Sequence, residues 1–301
     1  MTKEPMVLYD MPIPGAARLT LNRPKARNAQ NAELLYALDD AFTRAMRDEE
    51  VRVIILAANG TDFSAGHDLR VTLNGEDEAR FGIRSASGNF SAPHNEGYIA
   101  REEEAYLQLC RRWRNLTKPT IAQIHGRCIA GGLMLAWVCD IIIASEDATF
   151  FDPVSAWGAN GLEWFGYPWE VGARKAKEFL FTGDTWTAAE AMRLGMVNHV
   201  VPRDELEAFT LAFAGRITNK PSYALKTAKQ SVNAAQDAQG MQIAMDMAFQ
   251  IHHLTHYHNL VKYEGKMVDE TKMPRMWDKP QAEAQAEPDD RGAGAPRRAD
   301  S

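Results

Sequence analysis

Residues 124–140 read IHGRCIAGGLMLAWVCD, and they set the reading of the whole chain. The apolar run 120–124 predicts a strand that enters a loop carrying Gly126, Gly131 and Gly132. The run 133–138 (LMLAWV) predicts a short buried helix ending at Asp140. A strand, a glycine turn and a helix N-terminus bring free backbone N–H groups to one point. That arrangement suits an oxygen that gains negative charge. Glycine serves there because a Cβ would keep a ligand off the backbone. The plain alternative is a packing turn with no ligand. A second glycine stretch, residues 63–69 (FSAGHDL), favours the ligand-holding reading.

Upstream, 7–9 and 17–21 predict a hairpin of two strands, with Pro12, Pro14 and Gly15 between them. A helix is predicted over 31–47, where Leu34, Leu38, Phe42 and Met46 recur every four residues and Asn31 offers an N-cap. The β-branched run 51–57 (VRVIILA) predicts a strand buried on both faces. Strand, helix, strand makes a βαβ unit, so the class is α/β with a parallel or mixed sheet. Residues 71–98 are polar and broken by Gly75, Gly82, Gly88, Pro93 and Gly97. They read as a mobile insertion placed as a lid over a site.

Downstream, 101–115 predicts an amphipathic helix with Tyr106, Leu109, Cys110 and Trp113 on one face. Strands are predicted at 141–144 and 148–151, a loop over 152–170 and a helix over 173–181. Thr187 and Glu190 read as a capping box for a helix stopped at Gly195, and 196–201 reads as a strand. From 204 to 260 the pattern is almost wholly helical. The chain divides into a core over 1–202, a helical region over 203–277 and a tail over 278–301. The tail lacks apolar periodicity and is expected to be disordered.

With 301 residues, 45% apolar and 25% charged, the composition is that of an ordinary globular protein. A net charge of −6 argues against nucleic acid or an anionic membrane as partner. No apolar run has the length of a membrane span, and the polar N-terminus lacks the core of a signal peptide, so a cytoplasmic location is expected. Cys110, Cys128 and Cys139 sit in apolar contexts and are expected to be reduced, buried thiols.

Several motifs occur together and in order: PKARNA at 24–29, FSAGHDL at 63–69, Lys118-Pro119 with His125-Gly126 and Ala130-Gly131-Gly132, Cys139-Asp140, and FTGD at 181–184. With Ala189, Gly195, Val197 and Val201-Pro202, they resemble the enoyl-CoA hydratase/isomerase family, the crotonase superfamily. The resemblance implies a crotonase-like spiral of β-β-α turns followed by a helical region that mediates trimers, often paired as hexamers. It implies an acyl-CoA or enoyl-CoA substrate, with coenzyme A entering only as part of that thioester and no separate cofactor. It also implies that the thioester oxygen is held by the backbone N–H groups of His67 and Gly131. Proton removal, conjugate addition and acyl transfer all place charge on that oxygen. Ala26 and Ala65, with the neighbouring Asp68 and Leu69, match positions at the coenzyme A site. Lys25 and Arg27 could meet its phosphates or simply be solvated turn residues.

The sequence departs from hydratases of this family at two positions. Where those place two water-activating glutamates, this chain carries Met134 and Val154, and neither can move a proton. Glu163 is the first candidate acid or base: apolar neighbours are expected to raise its pKa, and isomerase-like members place an acid at about this position, with a simple pairing to an arginine as its plain alternative. Asp152 follows, with a turn cap as its plain alternative. The His67 imidazole is third, with the nucleotide end of the ligand as one direction it could take. His252, His253, His256 and His258 lie close together, and His252 and His256 share a helix face. No acidic motif accompanies them, so no metal is expected, and a packed or subunit-facing helix is. Trp157, Trp164, Phe165, Tyr167 and Trp169 line an acyl pocket or fill core. The leading expectation is therefore a thioester enzyme of this family with an unusual acid/base group. The alternatives are a non-catalytic acyl-CoA binding protein, or a related isomerase or thioester hydrolase.

Overall fold

The computed structural model describes residues 4–71 and 73–268, so the tail expected over 278–301 lies outside the described residues. β1 (Val7–Ile13) and β2 (Ala16–Leu21) form an antiparallel hairpin whose turn is Pro14 and Gly15 alone. Pro12 lies inside β1 rather than in the turn. It is tolerated because β1 is a sheet edge and its register slips between Asp10 and Ile13.

Parallel pairing then builds the rest of a six-stranded sheet: β2 with β3 (Val53–Ala58), β3 with β4 (Thr120–Ile124), β4 with β6 (Ile141–Ser145) and β6 with β9 (His199–Val201). Alternation along β3 sends Ile54 and Leu56 to one face and Val53 and Ile55 to the other. The first face packs against Leu34, Leu38 and Phe42 of α1 (Ala32–Arg47). The Asn31 side chain caps α1, accepting from the Leu34 N–H at 3.0 Å. The second face packs against Leu206 and Ala214 of α8 (Leu206–Thr218).

β4 and β6 each hand the chain to a strand of a smaller, three-stranded sheet. β5 (Arg127–Ile129) pairs in parallel with β7 (Thr149–Phe151), and β8 (Trp186–Thr187) runs antiparallel to β7. After β3 the same step is made by Ser64, which bridges Cys128. The sequence reads 127–129 as part of a glycine loop. It is instead extended, because the Ser64 N–H donates to the Arg127 carbonyl at 3.2 Å and the Ile129 N–H to the Ser64 carbonyl at 2.9 Å. α5 (Gly131–Trp137) follows directly. The chain therefore repeats strand, strand, helix as it winds, which is the spiral that the motifs imply.

Residues 71–98 read as irregular, but much of the stretch is helical. α2 (Gly75–Phe81) has a reciprocal cap between Asn74 and Asp77, and the buried Leu73 and Phe90 pin the segment to the core. α3 (His94–Glu102) runs through a π-helical turn (Glu103–Gln108) into α4 (Leu109–Arg114). α6 (Tyr167–Thr182) begins before the predicted 173, and a break at Gly172 (φ 76, ψ 158) is why the periodicity is legible only after it. At α7 (Ala188–Arg193) the Thr187 hydroxyl accepts from the Glu190 N–H at 3.2 Å. The Glu190 carboxylate binds Arg193 instead of closing the box, so the cap is one-sided. α9 (Ser222–Ala238) and α10 (Met241–Lys262) complete the helical region, and α10 packs beside α3 and α9. Among the described residues no helix is long and apolar enough to cross a membrane.

Candidate active site

Residues from five separated segments (25–29, 65–73, 98–106, 130–163 and 252–268) enclose a cavity of about 630 Å³. Its wall includes the two glycine loops, which pack backbone to backbone. Gly66 sits at φ 84, and a Cβ there would stand 2.8 Å from the Ile129 carbonyl oxygen and 3.0 Å from the Gly131 nitrogen. The Gln30 N–H donates to the Gly66 carbonyl at 2.8 Å, and the Asp68 N–H to the Gln30 carbonyl at 2.9 Å. In such a parallel bridge the residue between those two, His67, turns its own N–H to the opposite side. Gly131 opens α5, where a backbone N–H has no intrahelical acceptor. Ala130, just before it, holds φ 47 and ψ −117, a conformation an L-residue rarely adopts. Its N–H donates to the Phe151 carbonyl at 3.0 Å and its carbonyl accepts from Leu133 at 2.8 Å, which fixes the turn.

The His67 side chain lines the cavity. Its ring stacks on Tyr106 with centroids 3.8 Å apart, and its Nε2 lies 3.1 Å from Glu163 Oε2. Glu163 is buried, and its Oε1 lies 3.6 Å from His252 Nε2. Burial by itself raises this carboxyl. His67, which also hydrogen-bonds it, and His252 outweigh burial and hold it well below the ordinary carboxylate range. The sequence expectation of a raised pKa is thus reversed, because the neighbours are imidazoles and not only apolar groups. Tyr106 is pushed well above 10.0 by burial, with Glu163 and Glu102 adding to it, so it remains a neutral phenol.

His252, His253 and His256 occupy the inner face of α10, all buried, while His258 is exposed on the outer face. They converge on Glu102 from α3, which lies 3.4 Å from His253 Nε2 and 3.4 Å from His256 Nε2. Burial raises the Glu102 carboxyl, but His256 and His252 bring it below its usual value. Burial lowers His252, and it lowers His253 to about 4. His256 also feels burial, but Glu102 dominates and raises it.

Asp152 lies apart from the cavity wall. It is fully buried, and its carboxylate accepts from the Val154 N–H at 3.1 Å and from the Tyr167 hydroxyl. That hydroxyl in turn accepts from the Leu162 N–H at 3.0 Å. Asp152 thereby anchors the loop that presents Glu163, and burial raises its pKa to about 6. Val154 lines the cavity, whereas Met134 is packed in the core. Of the aromatic group, Trp157 reaches the cavity wall, and Trp164 and Tyr167 are core.

Lys25, Ala26, Arg27, Ala65, Asp68 and Leu69 all line the same cavity. Asp68 is clamped by Arg23 at 2.7 Å and Arg70 at 3.1 Å. Burial raises it, but the hydrogen bonds from Arg70 and Arg23 bring it below its usual value. Its charge is therefore compensated within the wall. Sequence reasoning passed over Glu102 and Tyr106 as site residues and placed the α10 histidines in packing. One signal could have found the histidines. Met245, Phe249, His252 and His256 share the inward stripe of a helix whose other stripe is apolar and exposed.

The Enoyl-CoA hydratase/isomerase family profile matches residues 14–279. The chain is 47% identical over 249 residues to a protein of Mycobacterium tuberculosis (strain ATCC 25618 / H37Rv) described as putative enoyl-CoA hydratase EchA13, covering 80% of this chain and 77% of that one. It is 33% identical over 240 residues to the crotonyl-CoA hydratase of Syntrophomonas wolfei, covering 78% and 82%. Among solved structures, a probable enoyl-CoA hydratase from Mycobacterium thermoresistibile superposes with a TM-score of 0.77 at 47% identity, over 86% of this chain and 100% of that one.

Proposed function

The chain belongs to the enoyl-CoA hydratase/isomerase family, and from that premise we propose that it transforms an acyl-CoA or enoyl-CoA thioester whose carbonyl oxygen is held by the His67 and Gly131 N–H groups. The observation that carries this reading is the close approach of the Gly66 and Gly131 backbones beside a cavity that also carries the part-buried His67–Glu163 pair. Two fixed donors stabilise the enolate or oxyanion, and losing one such donor typically costs about 3–4 kcal/mol. Glu163 is the acid/base group and works with His67. Its ionised carboxylate accepts from Nε2, which leaves Nδ1 as the ring nitrogen free to meet the thioester. Nδ1 is buried without a hydrogen-bond partner among the described residues, and a Cβ on Gly131 would stand 2.8 Å from it. A proton leaving or joining carbon beside the thioester carbonyl is thus exchanged next to the oxygen that takes the charge. Met134 and Val154, at the positions of the two hydratase glutamates, leave this pair in charge of proton movement.

Ala26, Ala65, Asp68 and Leu69 flank the nucleotide end of the ligand, and Lys25 and Arg27 meet its phosphates. No cofactor beyond the thioester's own coenzyme A enters the reaction. The protein is cytoplasmic and assembles as a homotrimer, with hexamers as paired trimers. Ile243, Met247, Ile251, Leu254, Tyr257 and Val261 form an exposed apolar stripe along α10 that supports such assembly.

The test is a panel of enoyl-, hydroxyacyl- and acyl-CoA thioesters read by mass spectrometry with wild type and Glu163→Gln. Turnover should fall by about 10²–10⁴-fold in the variant while thioester binding persists. A variant as fast as wild type removes Glu163 from the mechanism. Saturable binding with no turnover across the panel identifies a non-catalytic acyl-CoA binder instead.

A further inference from the structure

The inner face of α10 brings imidazoles to the cavity that the thioester reading does not use. His252 Nδ1 lies 2.9 Å from the Gly161 carbonyl oxygen. A carbonyl only accepts, so Nδ1 carries a proton and the neutral ring presents a lone pair at Nε2. That lone pair faces Glu102 Oε2 at 3.7 Å and Glu163 Oε1 at 3.6 Å. Both groups accept; His252 Nε2 has no hydrogen-bond partner among the described residues, and Glu102 Oε2 also faces His253 Nε2 and His256 Nε2, each at 3.4 Å. His252 is only 4% exposed. Opposed, buried acceptors call for a cation between them.

The spacing suits a metal ion. Nitrogen and oxygen ligands about 2.0–2.1 Å from a tetrahedral zinc stand about 3.4 Å apart. Glu102 Oε2 lies 3.4 Å from His256 Nε2, and the ligand atoms of Glu102, His252 and His256 all fall within 4.8 Å of one another. His252 and His256 are one helical turn apart on α10, so one face delivers both. The Gly161 carbonyl at Nδ1 fixes ring and tautomer as the outer partners of metal-bound histidines do. Sequence reading found no acid to complete the set, because Glu102 arrives from α3, far upstream.

We propose that Glu102, His252 and His256 form a binding site for a divalent transition-metal ion of the zinc class that opens into the cavity. All three residues line that cavity, and three protein ligands leave a coordination position facing it. His253 stands beside the set, with its ring edge-on to Phe249. The site rests on the side chains alone and is independent of the thioester reading.

The full chain, freed of metal by chelator dialysis, is equilibrated with Zn²⁺ and its bound zinc measured by elemental analysis, with no thioester present. Wild type should bind about one zinc per chain. Co²⁺ should give the visible absorption of four- or five-coordinate cobalt. His252→Ala and Glu102→Gln should each lose zinc affinity by on the order of a hundredfold or more. His258→Ala, on the exposed face, should bind like wild type. A wild type that takes up no zinc overturns the proposal and leaves a proton on His256 as the cation beside Glu102. So does zinc retained at wild-type affinity by folded His252→Ala, His256→Ala and Glu102→Gln chains. The wild-type stoichiometry is read first, so a variant that fails to fold does not shelter the proposal.

Discussion

Gly131→Ala tests the site through a single methyl group. The added Cβ would stand 2.6 Å from His67 Cε1, 2.8 Å from its Nδ1 and 2.9 Å from Gln30 Oε1. Carbon atoms pack at about 3.5–4.0 Å, so the imidazole must retreat by about 1 Å. It has little room, because its face is stacked on Tyr106 at 3.8 Å and its Nε2 is bonded to Glu163 at 3.1 Å. Gly131 is not among the glycines with positive φ, so the backbone itself tolerates alanine. The stability cost is then one of overpacking, about 1–3 kcal/mol. For a chain of this size that is roughly 2–4 °C of melting temperature per kcal/mol. The rate should suffer more than the fold. A displacement of about 1 Å at the reacting groups costs on the order of a hundredfold. Steady-state kinetics on the best thioester of the panel, with a thermal scan of the same sample, reads both effects. A Gly131→Ala chain with kcat within about threefold of wild type would refute the reasoning, because the His67 ring and the Gly131 N–H would then not limit the reaction.

Other outcomes follow from the same structure. Gly215→Ala, in the middle of α8 and with its nearest atom 3.8 Å from the new Cβ, should stabilise the protein by about 0.5–1 kcal/mol in denaturant titration, and a destabilised variant would contradict the packing given for α8. The folded-state pKa of Asp152 is raised from 3.8 to about 6, so its neutral form favours the folded state below pH 3.8, and that stability is lost as pH rises through 6. The shift corresponds to roughly 3 kcal/mol between those limits, and the stability difference between wild type and Asp152→Asn should change by that order across the window. A difference that stays flat with pH would place the Asp152 carboxyl in a better-solvated setting. Leu254→Glu, on the 66% exposed outer stripe of α10, should shift the oligomer towards monomer in sedimentation, and an unchanged assembly would move the subunit contact elsewhere.

The local signals were legible in the residues themselves. β3 reads as a buried strand because its β-branched run needs only its own neighbours to say so, and Asn31 caps α1 through a bond three residues long. The two glycine loops were also visible, because a close backbone approach excludes a Cβ wherever the partner comes from. β5 was missed for the opposite reason. Its three residues are extended only because Ser64 and Phe151, distant in the chain, supply the hydrogen bonds.

The chemistry of the cavity was legible in part. Residue types named Glu163 as the acid to examine, but not the state of its charge. That depends on His67 and His252, which reach it from a loop and a helix on either side of it in the chain. The same holds for Glu102, placed opposite the α10 histidines by helix packing that no local pattern encodes. By itself, then, the sequence determined the two backbone loops, which rest on the absence of side chains, while the resemblance of its ordered motifs implied the family and the β-β-α winding. Only the tertiary structure decided which ionisable groups meet in the cavity and how each alters the other's charge, because electrostatic coupling acts through distances of a few ångströms that the order of residues does not contain.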